Sequence, residues 1–327
     1  MRLKRGVGIQ FNCIFVLIVC AILLTLFIGN IQKQKSISVL STNVVILNSL
    51  GFILSSSAVI GGTVNVVEIP KTRIEFECNK ISIGSVSKQL NGMNIFAPRV
   101  LDDNNIITMT LDWNVPYRAA NFLYLTSAKI RYIFVGNSSF ARDIFEMIPD
   151  EINNDGYTNV DVIEDENDDS VRLIFFNRDP EIPSNLKEIR EGITALKVDG
   201  DEDKGKVEFF DFVGDKFESR GISYYFRESG LLGAIFTDNL ETYECAMKNS
   251  FDGLRVVSQV YEKKTNNLGL YYGNEQCAQN YYSGFIVEIK EASSTFSQSS
   301  INEISEAMKN LEEQNKKIQE ESCIPIY

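Results

Sequence analysis

The chain has 327 residues, 44% hydrophobic and 23% charged, a balance that excludes a disordered protein and leaves room for one large domain or two small ones. The formal net charge of −12 is unevenly placed: residues 1–67 carry Arg2, Lys4, Arg5, Lys33 and Lys35 and no acid, so residues 68–327 hold 27 basic and 44 acidic residues, a net of −17. So acidic a surface repels phosphate backbones and no nucleic acid is expected as a partner, while the lack of histidine excludes Ser-His-Asp and Cys-His nucleophiles and His-ligated zinc, iron or copper.

Residues 9–31 form an uncharged apolar run. At about 1.5 Å rise per residue the run crosses the roughly 30 Å hydrocarbon core of a bilayer. It exceeds the apolar region of a cleavable signal peptide, and no small-residue cleavage pattern follows, so it is expected to be retained as a signal-anchor. Residues 1–31 are therefore expected to be a cytoplasmic tip and transmembrane helix whose partner is the lipid bilayer. The bases Arg2, Lys4 and Arg5 favour a cytoplasmic N-terminus, which places a single-pass protein in the cell membrane with its main domain extracytoplasmic.

In residues 32–62, Ile37, Leu40, Val44, Leu47 and Leu54 recur at helical spacing, with Ser36, Thr42, Asn43, Ser49 and Ser56 opposite. An amphipathic helix continuing the anchor is expected, ended by Gly61-Gly62. The alternatives are a second membrane segment, opposed by Asn48, Ser49 and Ser55, and a β-rich start to the domain.

Lys4-Arg5-Gly6 followed by Val7-Gly8-Ile9-Gln10-Phe11-Asn12 resembles the start of uncharacterised archaeal-type single-pass membrane proteins with a class III, prepilin-like N-terminal segment. Trp113-Asn114-Val115-Pro116-Tyr117-Arg118 and Asn121-Phe122-Leu123-Tyr124-Leu125-Thr126 are similar to that group as well. The resemblance implies cleavage after Gly6 with the apolar helix left on the mature chain. Pilins carry an acidic residue near the fifth mature position, where this chain has Phe11.

An α/β extracytoplasmic domain is expected over 63–238. Ile74, Phe76 and Cys78 alternate with charged residues as a half-buried strand, and 106–111 reads as another. Residues 130–135 form a buried strand, Gly136-Asn137-Ser138-Ser139 a turn with N-cap candidates, and 140–148 a helix. Strands follow at 171–176 and 193–198, with a capping box at Asn185 and Glu188 opening a helix between them. This alternation predicts βαβ units and a mixed, partly parallel sheet with flanking helices. Residues 207–212, 222–226 and 231–236 read as further strands, the last two as a hairpin across Ser229-Gly230.

Residues 239–327 read as C-terminal helices packed on the domain. One carries the stripe Tyr243, Met247, Phe251, Leu254, Val257 and Tyr261, and a second follows Cys277. Ser300-Ile301-Asn302-Glu303 reads as a capping box opening a third, with Ile301, Ile304, Met308, Leu311 and Ile318 apolar and Asn315 in the seam.

Ligands of parallel sheets sit beyond the strand carboxyl ends, which places Asn137, Ser138 and Ser139 on one edge with Asn177, Arg178 and Asp179. Backbone amides at the helix start there suit an anion; caps and turns use the same residues. Asn137-Ser138-Ser139 is also a glycosylation sequon. Asp199, Asp201 and Asp203 resemble the opening of a calcium loop, but Lys204 and Phe210 stand where glycine and the bidentate glutamate belong, so a solvated acidic hairpin tip is expected and no metal. The run from Asp161 to Asp169 reads as a charged loop. No cofactor is expected.

Cys13 and Cys20 lie in the apolar run, and Cys78, Cys245, Cys277 and Cys323 in the domain, with no CxxC. Four cysteines allow three pairings. Cys245 with Cys277 would staple a helical pair and leave Cys78 for Cys323; free thiols are the alternative. The leading expectation is a non-enzymatic cell-surface interaction or envelope structural protein, self-associating or bound to envelope partners. The alternatives are a pilin-like subunit and a membrane-tethered enzyme or small-ligand-binding module at the sheet edge.

Overall fold

A computed structural model describes residues 4–57, 61–163, 170–183, 186, 192–273 and 276–327. The chain opens with one unbroken helix, α1 (Lys4–Ser57), of 54 residues, about 80 Å long. Ile18, Leu23, Leu24, Phe27 and Ile28 are exposed on its first half. Its last turns bury Ile46, Leu47, Leu50 and Leu54 against the domain.

Two six-stranded sheets follow. The first comprises β1 (Val64–Glu77), β2 (Lys80–Ile83), β3 (Val86–Gln89), β4 (Asn94–Phe96), β5 (Val100–Asn114) and β6 (Arg118–Thr126), in the order β3-β2-β1-β5-β6-β4. All its pairings are antiparallel except that of β4 with β6. The β1–β5 register slips between Glu68 and Thr72, around Pro70, which has no N–H to give the ladder. The end of α1 packs on β2 and β3.

The second sheet begins with β7 (Ile130–Val135), α2 (Ser139–Glu146) and β8 (Asn154–Tyr157), and continues through β9 (Ser170–Phe176), β10 (Ile193–Gly200), β11 (Lys204–Val213) and β12 (Lys216–Phe226). Its order is β12-β11-β10-β9-β7-β8, with β10, β9, β7 and β8 mutually parallel and β11 and β12 antiparallel. The expected α/β class and βαβ alternation are present, built on two mixed sheets. The helix expected near Asn185 and Glu188 lies outside the described residues, as does most of the acidic run after Asp161.

The strand expected over 231–236 is instead the helix α3 (Arg227–Phe236), so the hairpin across Ser229-Gly230 does not form. Arg227, at φ +67°, turns the chain out of β12. Every residue from Ser229 to Phe236 is buried, because α3 touches β4, β5 and β6 of the first sheet and β11 and β12 of the second. A short run that is apolar on every side has no helical period to read, and its length fits a strand equally well. Gly233 lets α3 approach the first sheet: a Cβ there would stand 2.7 Å from the Phe96 ring.

The C-terminal region is helical. α4 (Leu240–Tyr272) is capped by the Asn239 side chain and buries the expected stripe from Tyr243 to Leu254; α5 (Gly284–Ala292) packs beside it, and α6 (Gln298–Glu320) packs on α5. The cap of α6 is Ser297, which accepts from the Ser300 N–H at 3.2 Å, so this helix starts a turn earlier than the expected capping box. Asn315 is buried and pins the tail: its Oδ1 accepts from Ile326 N at 2.7 Å and its Nδ2 donates to Tyr327 O at 3.2 Å.

The disulfides are Cys78–Cys245 and Cys277–Cys323, with Cα separations of 5.8 and 5.9 Å, in place of the pairing of Cys245 with Cys277. The reason is the length of α4. Cys245 lies near its start and Cys277 beyond its end, about 40 Å apart at helical rise, while the end of β1 lies against the first turns of α4.

Gly233→Ala is expected to destabilise the protein by about 1–3 kcal/mol through overpacking against Phe96. Gly230→Ala, whose added Cβ would meet only ordinary contacts at 3.6 and 3.9 Å, should change far less, and thermal unfolding of the two variants checks this.

Candidate functional site

The parallel strands β7, β9 and β10 present two clefts, one at each end. At the carboxyl end lies the expected edge. Ser138 caps α2, its Oγ accepting from Ala141 N at 3.1 Å. A cleft of about 260 Å³ opens there, with Asn137, Ser138, Arg142 and Tyr157 in its wall. Asn177, Arg178 and Asp179 do not line it, and Ser139 is taken into the first turn of α2. Arg178 pairs with Glu181 at 3.5 Å and Asp179 with Lys197 at 2.7 Å, so the expected six-residue edge is divided. Beneath this end Arg131, fully buried, donates from Nε to Asp155 Oδ2 at 2.6 Å and from Nη2 to the Tyr157 hydroxyl at 3.2 Å, fastening the edge strand β8 to β7.

The three aspartates of the β10–β11 turn are engaged separately. Asp199 lies 3.6 Å from Lys197, Asp201 Oδ1 accepts from the amides of Asp203 and Lys204, and Asp203 pairs with Arg227. They form the acidic hairpin tip, each carboxylate meeting a protein donor. Among the described residues no group of three or more Cys, Asp or Glu is arranged to hold a metal ion.

The second cleft, about 340 Å³, lies at the amino ends of the same strands, between Ile130, Ser170 and Ile193 on the sheet and the C-terminus of α3. Its polar wall is Arg99, Arg172, Arg220, Asp211 and Asp238. A space of this size fits a small organic molecule.

Arg172 determines the geometry here. It is 3% exposed and points from β9 into the layer between the sheets. Its Nη2 donates to Ala234 O at 3.1 Å and Thr237 O at 2.7 Å, its Nε to Ile235 O at 3.3 Å and its Nη1 to Ala195 O at 3.3 Å. Two of these acceptors are terminal carbonyls of α3, which have no partner inside the helix, and a third is that of its C-cap Thr237, so the guanidinium caps the negative end of the helix dipole. It also stands 5.5 Å from the Phe209 ring centroid. Burial lowers its pKa to about 10, against the opposing pull of Asp238, and it stays charged at neutral pH.

Tyrosine hydroxyls fasten the surroundings of α3. Tyr124 donates to Ser229 O at 2.8 Å, and Tyr243 to Tyr224 O at 2.8 Å and Gly230 O at 3.2 Å. Tyr132, which lines the cleft, shares a 2.8 Å hydrogen bond with Thr126. The sequence reading did not find this cleft. One signal was present: Arg172 is a charge inside an apolar run that reads as a buried strand, and a buried charge needs several partners.

No protein-family model matches the chain, and no curated protein and no solved structure is significantly similar to it.

Burial, the largest cause in each case, holds the hydroxyls of Tyr124, Tyr132 and Tyr243 above their ordinary pKa of 10.0. Unfolding frees them to ionise, so above pH 10 the unfolded chain carries fewer protons and stability falls as pH rises. Arg172 opposes this, because its lowered pKa leaves the unfolded chain holding more protons above about 10, but it is one group against three. The unfolding temperature is expected to drop steadily above pH 10 with a concerted tyrosinate absorbance step. Ionisation of all 13 tyrosines in a chain that stays folded would contradict the burial of these rings.

Proposed function

We propose that the protein is a single-pass, membrane-anchored surface protein whose cysteine-clamped domain serves interaction or envelope structure rather than catalysis. One observation carries the reading: α1 is continuous, exposing Ile18, Leu23, Leu24, Phe27 and Ile28 on its first half and seating Ile46, Leu47, Leu50 and Leu54 on the first sheet at its end. A contiguous apolar surface of that kind belongs in lipid.

α1 is one helix long and apolar enough to cross a membrane; its window Val39–Ser56 has a mean hydropathy of 1.6. That window is also the part that docks on β2 and β3, with Lys88 Nζ 3.4 Å from Asn48 Oδ1. Placing it in lipid would bring a sheet edge and a lysine into the hydrocarbon, at several kcal/mol or so for the charge alone. Residues 9–31 are therefore the proposed span. The bases before them favour a cytoplasmic N-terminus, and the disulfides Cys78–Cys245 and Cys277–Cys323 suit an oxidising exterior.

The same continuous helix also favours a second reading, a pilin-like subunit processed after Gly6, in which the first half of α1 packs with other copies. N-terminal sequencing of the mature protein separates the two, since an intact Met1 rejects the processed subunit.

Protease added to intact cells is expected to digest the domain and leave a membrane-embedded fragment containing residues 9–31, and deletion of residues 1–31 should release the domain in soluble form. A domain that resists protease until the membrane is broken would reverse the proposed orientation.

A further inference from the structure

The cleft at the amino ends of β7, β9 and β10 differs in charge from the domain around it. The domain region is strongly acidic, yet three arginines and two aspartates line this cavity. Arg220 Nε donates to Asp211 Oδ2 at 2.7 Å, which neutralises that pair. Asp238 Oδ1 accepts the Arg99 backbone N–H at 2.7 Å, so it fixes the main chain at the cleft rim and lies in the field of Arg172. The Arg99 guanidinium has no hydrogen-bond or ion-pair partner among the described residues. Arg172 has five N–H groups, and the four carbonyl bonds leave one Nη1–H without an acceptor among the described residues. Pro98, Ile130, Ile193, Phe212 and Val213 supply an apolar part of the wall, and Tyr132, Ser170 and Thr194 add hydroxyl-bearing side chains.

We propose that this cleft binds a small organic monocarboxylate with an apolar body, the carboxylate meeting Arg99 and the remaining Nη1–H of Arg172 and the body lying on Ile130, Ile193 and Phe212. Charge selects the class. Three guanidinium groups against two carboxylates leave one positive charge, which a single carboxylate balances. A dianionic phosphate would bring surplus negative charge beside Asp211 and Asp238, and a neutral amide would leave the guanidinium groups without a charged partner. Charge-assisted bonds to arginine supply the orientation, as bidentate recognition of a carboxylate requires.

The test uses the full chain in detergent micelles with benzoate and hexanoate as probes, and benzamide and inorganic phosphate as controls, read by calorimetry. Saturable binding of a carboxylate, with benzamide and phosphate binding weaker or not at all, is expected. Arg99→Ala should weaken carboxylate binding by about tenfold or more, the loss of one charge-assisted contact, at an unchanged unfolding temperature. Arg142→Ala, an exposed arginine of the opposite cleft, should leave binding as it is. Failure of both carboxylates to bind overturns the proposal, as does benzamide or phosphate binding equally well. Equal effects of Arg99→Ala and Arg142→Ala would also overturn it, by reducing the attraction to general charge.

Discussion

A single buried guanidinium holds the centre of this protein together. α3 lies between two sheets with Ser229 to Phe236 buried, and Arg172 reaches from β9 to take the carbonyls of Ala234, Ile235 and the C-cap Thr237 and one carbonyl of β10. An unpaired buried charge is costly, and so are unpaired buried carbonyls. Each removes the other's penalty, which makes the contact strict: lysine, with a point charge and three donors, lacks the planar fork that reaches this spread of acceptors. The end of α3, the floor of the amino-end cleft and the spacing of the two sheets all rest on this contact.

The packing around α3 follows. Because the helix is enclosed, it needs Gly233 against Phe96 and aromatic walls whose polar tips meet its backbone. Trp113 donates from Nε1 to Phe226 O at 3.1 Å, holding the residue from which α3 starts. α4 then closes the sandwich along β4 and β6, and Cys78–Cys245 ties its first turns to the end of β1. That link closes a loop of 167 residues spanning both sheets, so it restrains the unfolded chain over most of the domain.

Local patterns were legible where a period or a cap existed. The strand, N-cap and helix from Ile130 to Ile148, the strands at β9 and β10, and the apolar stripe of α4 could be read residue by residue. The strand expected for 231–236 is a helix: Leu231, Leu232, Ala234, Ile235 and Phe236 are buried on all sides, and periodicity carries no information there. The disulfide pairing depended on α4 running unbroken for 33 residues, which local spacing does not reveal. The amino-end cleft gathers Arg99 from the β4–β5 turn, Arg172 from β9, Arg220 from β12 and Asp238 after α3, residues that only the tertiary fold brings together. Arg172 within an apolar strand was the one local sign of it. The carboxyl-end residues fall at the expected strand ends, but Arg178 and Asp179 pair with Glu181 and Lys197 and do not line the cleft of Asn137 and Ser138.

Architecture and function meet at α1 and α3. α1 ties the domain to its proposed membrane position, and α3 makes that domain one cooperative body instead of two sheets that open separately. Hydrogen exchange of the α3 amides tests this most directly. If α3 is the shared core, the amides of Leu232, Gly233, Ala234 and Ile235 exchange only through global unfolding, with the same free energy as denaturant unfolding of the whole domain. Exchange of these amides through a local opening, at a free energy well below the global value and near that of the exposed Asp201–Lys204 turn, would contradict the account.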